Sequence, residues 1–216
     1  MADLFMRALP LLKSAILMTL WLGAASFLLG CVLGLLIAFG RMSSSRLLRC
    51  LAFVYVSIFR GTPLLVQMLL VYFGLPRVGI VLGPVPSAIV ALTLFSASYL
   101  SESFRSGISA VDKGQWEAAM SMGMGYWTAM RRIVLPQGLA IAIPTLGSRL
   151  IALMKDTSLA STITVVELTR VADQVGATTF RYLEMFLTVG AIYWVINQVL
   201  TIIQTCLEGR YLGRYQ

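Results

Sequence analysis

From Ser14 to Phe39 the chain runs 26 residues without a charged side chain. A helix of that length would reach about 39 Å, more than the ~30 Å hydrocarbon layer of a bilayer. The pattern recurs, with apolar runs over about Ser14 to Phe39, Leu47 to Leu75, Pro84 to Ser106, Val134 to Met154 and Tyr182 to Leu207. They predict five transmembrane helices and an all-α integral membrane fold. The first run exceeds the roughly 7 to 15 apolar residues of a secretory signal and lacks a convincing cleavage site, so it is expected to remain as a span. Composition agrees: 58% of the 216 residues are hydrophobic and 12% are charged, a balance no soluble surface accommodates. Residues 1–216 read as a single transmembrane domain.

The net charge of +8 does not point to nucleic acid, because the basic residues sit at helix ends and no aromatic-basic platform accompanies them. Topology and anionic membrane lipid account for them. With the N-terminus outside, nine Lys and Arg residues fall on the inner side, Arg41, Arg46, Arg49, Arg131, Arg132 and Arg214 among them. Six fall on the outer side, including Arg7, Lys13 and Arg77. The bias predicts N-terminus outside and C-terminus in the cytoplasm. The chain has no histidine, which removes the commonest metal ligand and general base. Cys31, Cys50 and Cys206 form no CxxC pair. Neither a metal site nor an enzymatic centre is expected.

The second and fourth runs are irregular. Phe59-Arg60-Gly61-Thr62-Pro63 stands midway along the second, and Pro63 has no N–H to offer the carbonyl of Phe59. A free carbonyl at membrane depth persists only where protein or a wet cavity supplies a donor. The fourth run holds Pro136, Pro144, Gly147 and Arg149, then closes on Lys155-Asp156-Thr157-Ser158. Both are expected to line something polar. Plainer readings stay open. Prolines also kink structural helices, Arg60 can pair with Glu102 for assembly alone, Lys155 can pair with Asp156, and the serines of the third span can bond neighbouring helices.

Between the third and fourth runs lies a polar, glycine-broken stretch from Glu117 to Pro136. Glu117 falls in the first turn of a helix, where it complements the positive end of the dipole. Ala118 and Ala119 let a partner approach the backbone, and Met120, Met122 and Met124 add flexible apolar contact. Gly123 and Gly125 permit a reversal into a second helix from about Tyr126, which Pro136 closes off. An amphipathic helix lying on headgroups would need a wider apolar face and no glycine turn. A soluble partner docking on about residues 114–136 is the stronger expectation.

Glu117-Ala118-Ala119, Gly123 four residues after Ala119, and Ile133-Val134-Leu135-Pro136 resemble the EAA signature of ATP-binding-cassette importer permeases. Phe59-Arg60-Gly61-Thr62-Pro63-Leu64, Lys113-Gly114-Gln115-Trp116 and Lys155-Asp156-Thr157-Ser158-Leu159-Ala160-Ser161 resemble the polar amino-acid uptake branch, with cystine-type permeases most similar. The resemblance implies a five-transmembrane-helix type I importer permease of the bacterial inner membrane, with a cytoplasmic coupling helix. It implies that Glu117, Ala118, Ala119, Gly123, Ile133, Leu135 and Pro136 meet a cytoplasmic ATPase dimer. It also implies a second permease subunit, identical or a sister. A periplasmic or lipid-anchored amino-acid-binding protein would dock on the outer connections, Thr157 to Arg181 included.

The chain lacks a Gly-x-x-x-x-Gly-Lys-Ser/Thr phosphate loop, so ATP and magnesium are expected on the partner ATPase and no cofactor on this chain. A zwitterionic amino acid, cystine or a similar one, needs a cation, an anion and neutral donors. Arg60, or the backbone beside Gly61 and Thr62, is the candidate for its carboxylate. Asp156 with Thr157 and Ser158 suits the other pole, with Gln67, Ser96 and Ser98 as neutral donors. The alternative is an ion- or proton-coupled secondary amino-acid carrier. Such carriers usually need a midplane acid and often an inverted repeat, whereas Glu102 and Glu184 lie near span ends and no repeat is evident.

Overall fold

The computed structural model describes the backbone of residues 2–212 and the side chains of residues 9–210, so Arg7 and Arg214 lie outside the described side chains. The first helix, α1 (Ala2–Met42), is the axis of the molecule. Buried clusters are strung along it. Near its start Leu12 and Ala15 pack with α8 (Leu168–Thr179) and α9 (Tyr182–Leu212). Further on, Leu22 joins a cluster with Leu92 and Leu153, and Ala38 meets Leu100 and Phe104 of α4 (Pro84–Ser109). Phe39 and Met42 close the far end against Ile108, Val111, Met130 and Val134.

The expected second span is not one helix. It divides into α2 (Arg46–Gly61) and a segment that begins with α3 (Leu64–Leu69), and the two meet at 105°. The cause is local: Pro63 restricts Thr62 to extended backbone, and Thr62 (φ −119°, ψ 146°) and Pro63 (φ −63°, ψ 135°) both adopt it. Four other stretches are long and apolar enough to cross a membrane: Leu9–Met42, Pro84–Ser109, Tyr126–Ile163 and Tyr182–Arg210. With the broken pair they make the expected five.

The third of these corrects a second expectation. Pro136 does not close a short helix, because α6 (Tyr126–Ala129), a π turn (Met130–Val134), α7 (Leu135–Asp156) and a 3-10 turn (Thr157–Ile163) form one continuous span. A proline ring collides with the carbonyl four residues before it, and the widened π turn makes room. A second π turn, Leu70–Gly74, stands before Leu75-Pro76 in the same relation. The stretch from Thr157 to Arg181, expected as an open connection, is likewise largely helical, with Leu168, Val171 and Ala172 of α8 fully buried.

Two close approaches hold the spans together. A Cβ on Gly107 would lie 2.3 Å from the carbonyl oxygen of Gly138, and one on Gly138 would lie 2.8 Å from the Cα of Ile108. The backbones of α4 and α7 therefore touch at a crossing that only glycine allows. Gly190 has open space around it. Gly107→Ala is expected to cost about 1–3 kcal/mol and to lower the yield of monodisperse protein on size-exclusion chromatography, while Gly190→Ala leaves it unchanged.

Glu167 caps α8 from a fully buried position, accepting the N–H groups of Thr169 (2.9 Å) and Arg170 (2.8 Å) and the hydroxyl of Tyr193 (2.8 Å). Burial outweighs these donors and holds its carboxyl above the ordinary glutamate range. The folded chain then keeps a proton that the unfolded chain has released. Stability should fall as pH rises from about 4.3 through the native value. Glu167→Gln should remove that slope in a thermal-melting series across pH.

Candidate functional site

Proline at position 63 leaves the carbonyl of Phe59 without its helical donor, and Gln67 replaces it. The side-chain amide of Gln67 donates to Phe59 O (2.9 Å), to Thr62 O (3.1 Å) and to Thr62 Oγ1 (2.8 Å). Thr62 in turn donates its hydroxyl to Ile58 O at 2.9 Å. The break is thus closed from within by the first turn of the helix beyond it. Thr62 and Gln67, both candidates for substrate contact, have their donors engaged there.

Next to this break a cavity of about 500 Å³ opens, lined by Phe53, Val56, Ser57, Arg60 and Gly61 of α2 with Arg41, Tyr99 and Glu102. That volume falls in the range of small-ligand sites. The plainer alternative, a pairing of Arg60 with Glu102, does not form. Glu102 accepts from Arg41 and from Arg105, while the guanidinium of Arg60 lies 4.9 Å from the centre of the Tyr99 ring. Arg60 has no ion-pair partner among the described residues.

Tyr99 is shared by a second guanidinium. Arg149 lies 4.8 Å from its ring centre and 5.0 Å from that of Phe95, cation–π contacts that gain strength where water is excluded. Arg149 also pairs with Asp156 at 2.9 Å and donates to Ser96 Oγ at 3.4 Å. Asp156 is thereby bound to Arg149 and not to Lys155, which is exposed. The remaining candidates are turned to local work: Ser98, Thr157 and Ser158 donate to the carbonyls of Phe95, Met154 and Lys155. Ser98, Ser101 and Ser103 bond within α4, whereas Ser96 accepts from Arg149 of the neighbouring α7.

The structure brings Arg60, Gly61, Ser96 and Asp156 around one aromatic pair and adds Arg149, Tyr99 and Phe95. The sequence pointed to Arg149 as a residue of a polar-lining run but gave it no role, and it did not single out Tyr99 or Phe95. A usable signal was present: Arg149 and Asp156 are seven residues apart, two helical turns on one face, and Phe95 and Tyr99 are four apart.

Just beyond the C-terminal end of α4, Asp112 caps α5 (Lys113–Ser121) by accepting from Gly114 N at 2.6 Å. Glu117 and Ala118 are exposed, whereas Ala119 is buried against the rest of the chain, so its small side chain serves internal packing. Gly123 takes the left-handed conformation (φ 75°) that turns α5 into α6. Gly125 is ordinary extended backbone capping α6, and only the first of the two glycines is needed for the reversal. Ile133 and Leu135 are half-buried and Pro136 is exposed. Trp116 stacks on Tyr126 with ring centres 5.3 Å apart, bracing α5 against the foot of the long span.

Residues 30–213 match the family described as binding-protein-dependent transport system inner membrane component. The probable amino-acid ABC transporter permease protein YckA of Bacillus subtilis (strain 168) is 42% identical over 208 residues, 96% of this chain and 92% of that protein. The L-cystine transport system permease protein TcyB of the same organism is 42% identical over 207 residues, covering 95% and 88%. The crystal structure of an amino acid ABC transporter with histidines superposes with a TM-score of 0.89 at 37% identity, over 95% of this chain and 96% of that one. The chain therefore belongs to this family and is an amino-acid ABC transporter permease subunit, a multi-pass inner-membrane protein of the type I importer fold and not an enzyme.

Gln67→Leu keeps the volume and removes the donors at the break. It is expected to cost about 1–3 kcal/mol through carbonyl oxygens left without a donor at the break, read as a lowered Tm of the chain in lipid nanodiscs.

Proposed function

We propose that this permease carries a polar amino acid, cystine or a similar one, inward across the membrane, driven by ATP hydrolysis on a separate ATPase dimer. In this reading the N-terminus is outside and α5 faces the cytoplasm, where Glu117, Ala118, Gly123, Ile133 and Pro136 meet the ATPase and Ala119 and Leu135 shape that surface from behind. ATP and magnesium sit on the ATPase. A second permease subunit completes the pathway, and a periplasmic or lipid-anchored binding protein delivers substrate. Arg60 and the backbone at Gly61 receive the substrate carboxylate, and Asp156 with Ser96 receives its ammonium group. Gln67, Thr62, Ser98, Thr157 and Ser158 shape the walls.

The observation that carries this reading is continuity. The helix that leaves the α5 turn at Tyr126 is the same span that bears Arg149 and Asp156. A displacement of α5 therefore crosses one short turn, braced by the Trp116–Tyr126 stack, and then runs along a single span to the polar cluster. A secondary carrier would have no use for an exposed α5 braced in this way, and the acid nearest the cavity, Glu102, is already held by two arginines.

α5 begins at Lys113 and has no acid in its first turn, contrary to the sequence expectation; Glu117→Lys therefore reverses the charge at an exposed position in the middle of the helix, and Gly123→Asp strains its turn. In proteoliposomes carrying the permease with its ATPase, both are expected to reduce ATP-driven uptake at least tenfold while membrane insertion is retained. Full uptake in both variants would refute the coupling role. Uptake that survives without ATP and collapses with an uncoupler would favour the secondary carrier.

A further inference from the structure

We infer that Arg149 is a specificity-determining residue that excludes cationic amino acids from this permease, restricting its substrates to neutral dipolar and acidic ones. The inference rests on the proposed amino-acid site at the Tyr99 cavity and narrows its substrate class.

Among the described residues, Arg41, Arg60 and Glu102 line the cavity and Arg105 pairs with Glu102; Arg149, paired with Asp156, meets the lining through the ring of Tyr99, so this group holds four guanidiniums against two carboxylates. Glu102 is shared by two of the arginines. Asp156 Oδ2 is taken by Arg149 at 2.9 Å, and Arg149 is itself fixed by Ser96 Oγ and the rings of Phe95 and Tyr99. Its side chain is only 11% exposed, so solvent does little to screen it.

A zwitterion can set its carboxylate against Arg60, the guanidinium of the lining that has no ion-pair partner among the described residues. A lysine- or arginine-like substrate brings a second positive charge, for which no free carboxylate is left, beside a group already positive by two. Like charge disfavours it. Arg149 acts twice: it occupies the acid that a cationic side chain would need, and it contributes a repelling charge.

The test is ligand-induced thermal stabilisation of the full chain in nanodiscs of zwitterionic lipid, titrated with L-cystine, L-glutamine, L-glutamate, L-arginine and L-lysine. The wild type is expected to bind at least one neutral or acidic amino acid, and to bind L-arginine and L-lysine at least tenfold more weakly. Arg149→Gln should close that gap at least tenfold by freeing Asp156, whereas Arg149→Lys, which keeps the charge, should preserve it. A wild type that binds L-arginine or L-lysine as well as the neutral amino acids overturns the inference and leaves the amino-acid site standing. No binding to any member of the panel overturns both. A gap that persists in folded Arg149→Gln overturns the role of Arg149, and Arg149→Met serves the same comparison if Arg149→Gln does not fold.

Discussion

A backbone carbonyl within a membrane has to find a donor inside the protein, and here that demand falls on one side chain. Gln67 answers three acceptors on the far side of the Thr62–Pro63 break. Without such a staple the 105° bend would leave Phe59 and Thr62 with unpaired oxygens in an apolar layer, and a straighter helix would be favoured. The bend ends α2 at Arg60 and Gly61, on the rim of the cavity. The polar site thus depends on a hydrogen-bond arrangement that never has to touch the substrate.

Around that rim the charges are unequal by design of the fold. α1 and α4 bring Arg41 and Arg105 to Glu102, and α7 folds Arg149 back on Asp156. Tyr99 and Phe95 supply electron-rich faces for guanidiniums that have too few carboxylates. Aromatic rings let a membrane protein keep a surplus positive charge next to a cavity without neutralising it, so the field remains available to a ligand.

The spans over Ser14–Phe39, Pro84–Ser106 and Tyr182–Leu207 were legible from sequence because length and apolarity are local properties, and each lies within an observed helix. The break at Pro63 was legible for the same reason. Its remedy was not: Gln67 reads as a polar residue in a span, and only the bend directs it back to Phe59 O. Pro136 misled because a proline usually stops a helix, while a wider turn can absorb it. Arg149 was legible as a charge inside the fourth run, but its partners were not, because they come from two turns along α7 and from α4, a contact set that no single window contains.

A π turn holds one residue more than the α-helical turn it replaces. Each residue advances an α-helix by roughly 100° about its axis, so the turn at Met130–Val134 resets the rotational phase of everything after it. The foot of the span can present Ala129 and Met130 to the interior at one angular setting, and α7 can aim Arg149 and Asp156 at Tyr99 at another. Closing that turn to plain α geometry would leave the span as hydrophobic as before, yet would swing both charged side chains by more than a quarter revolution, away from the cavity and toward lipid.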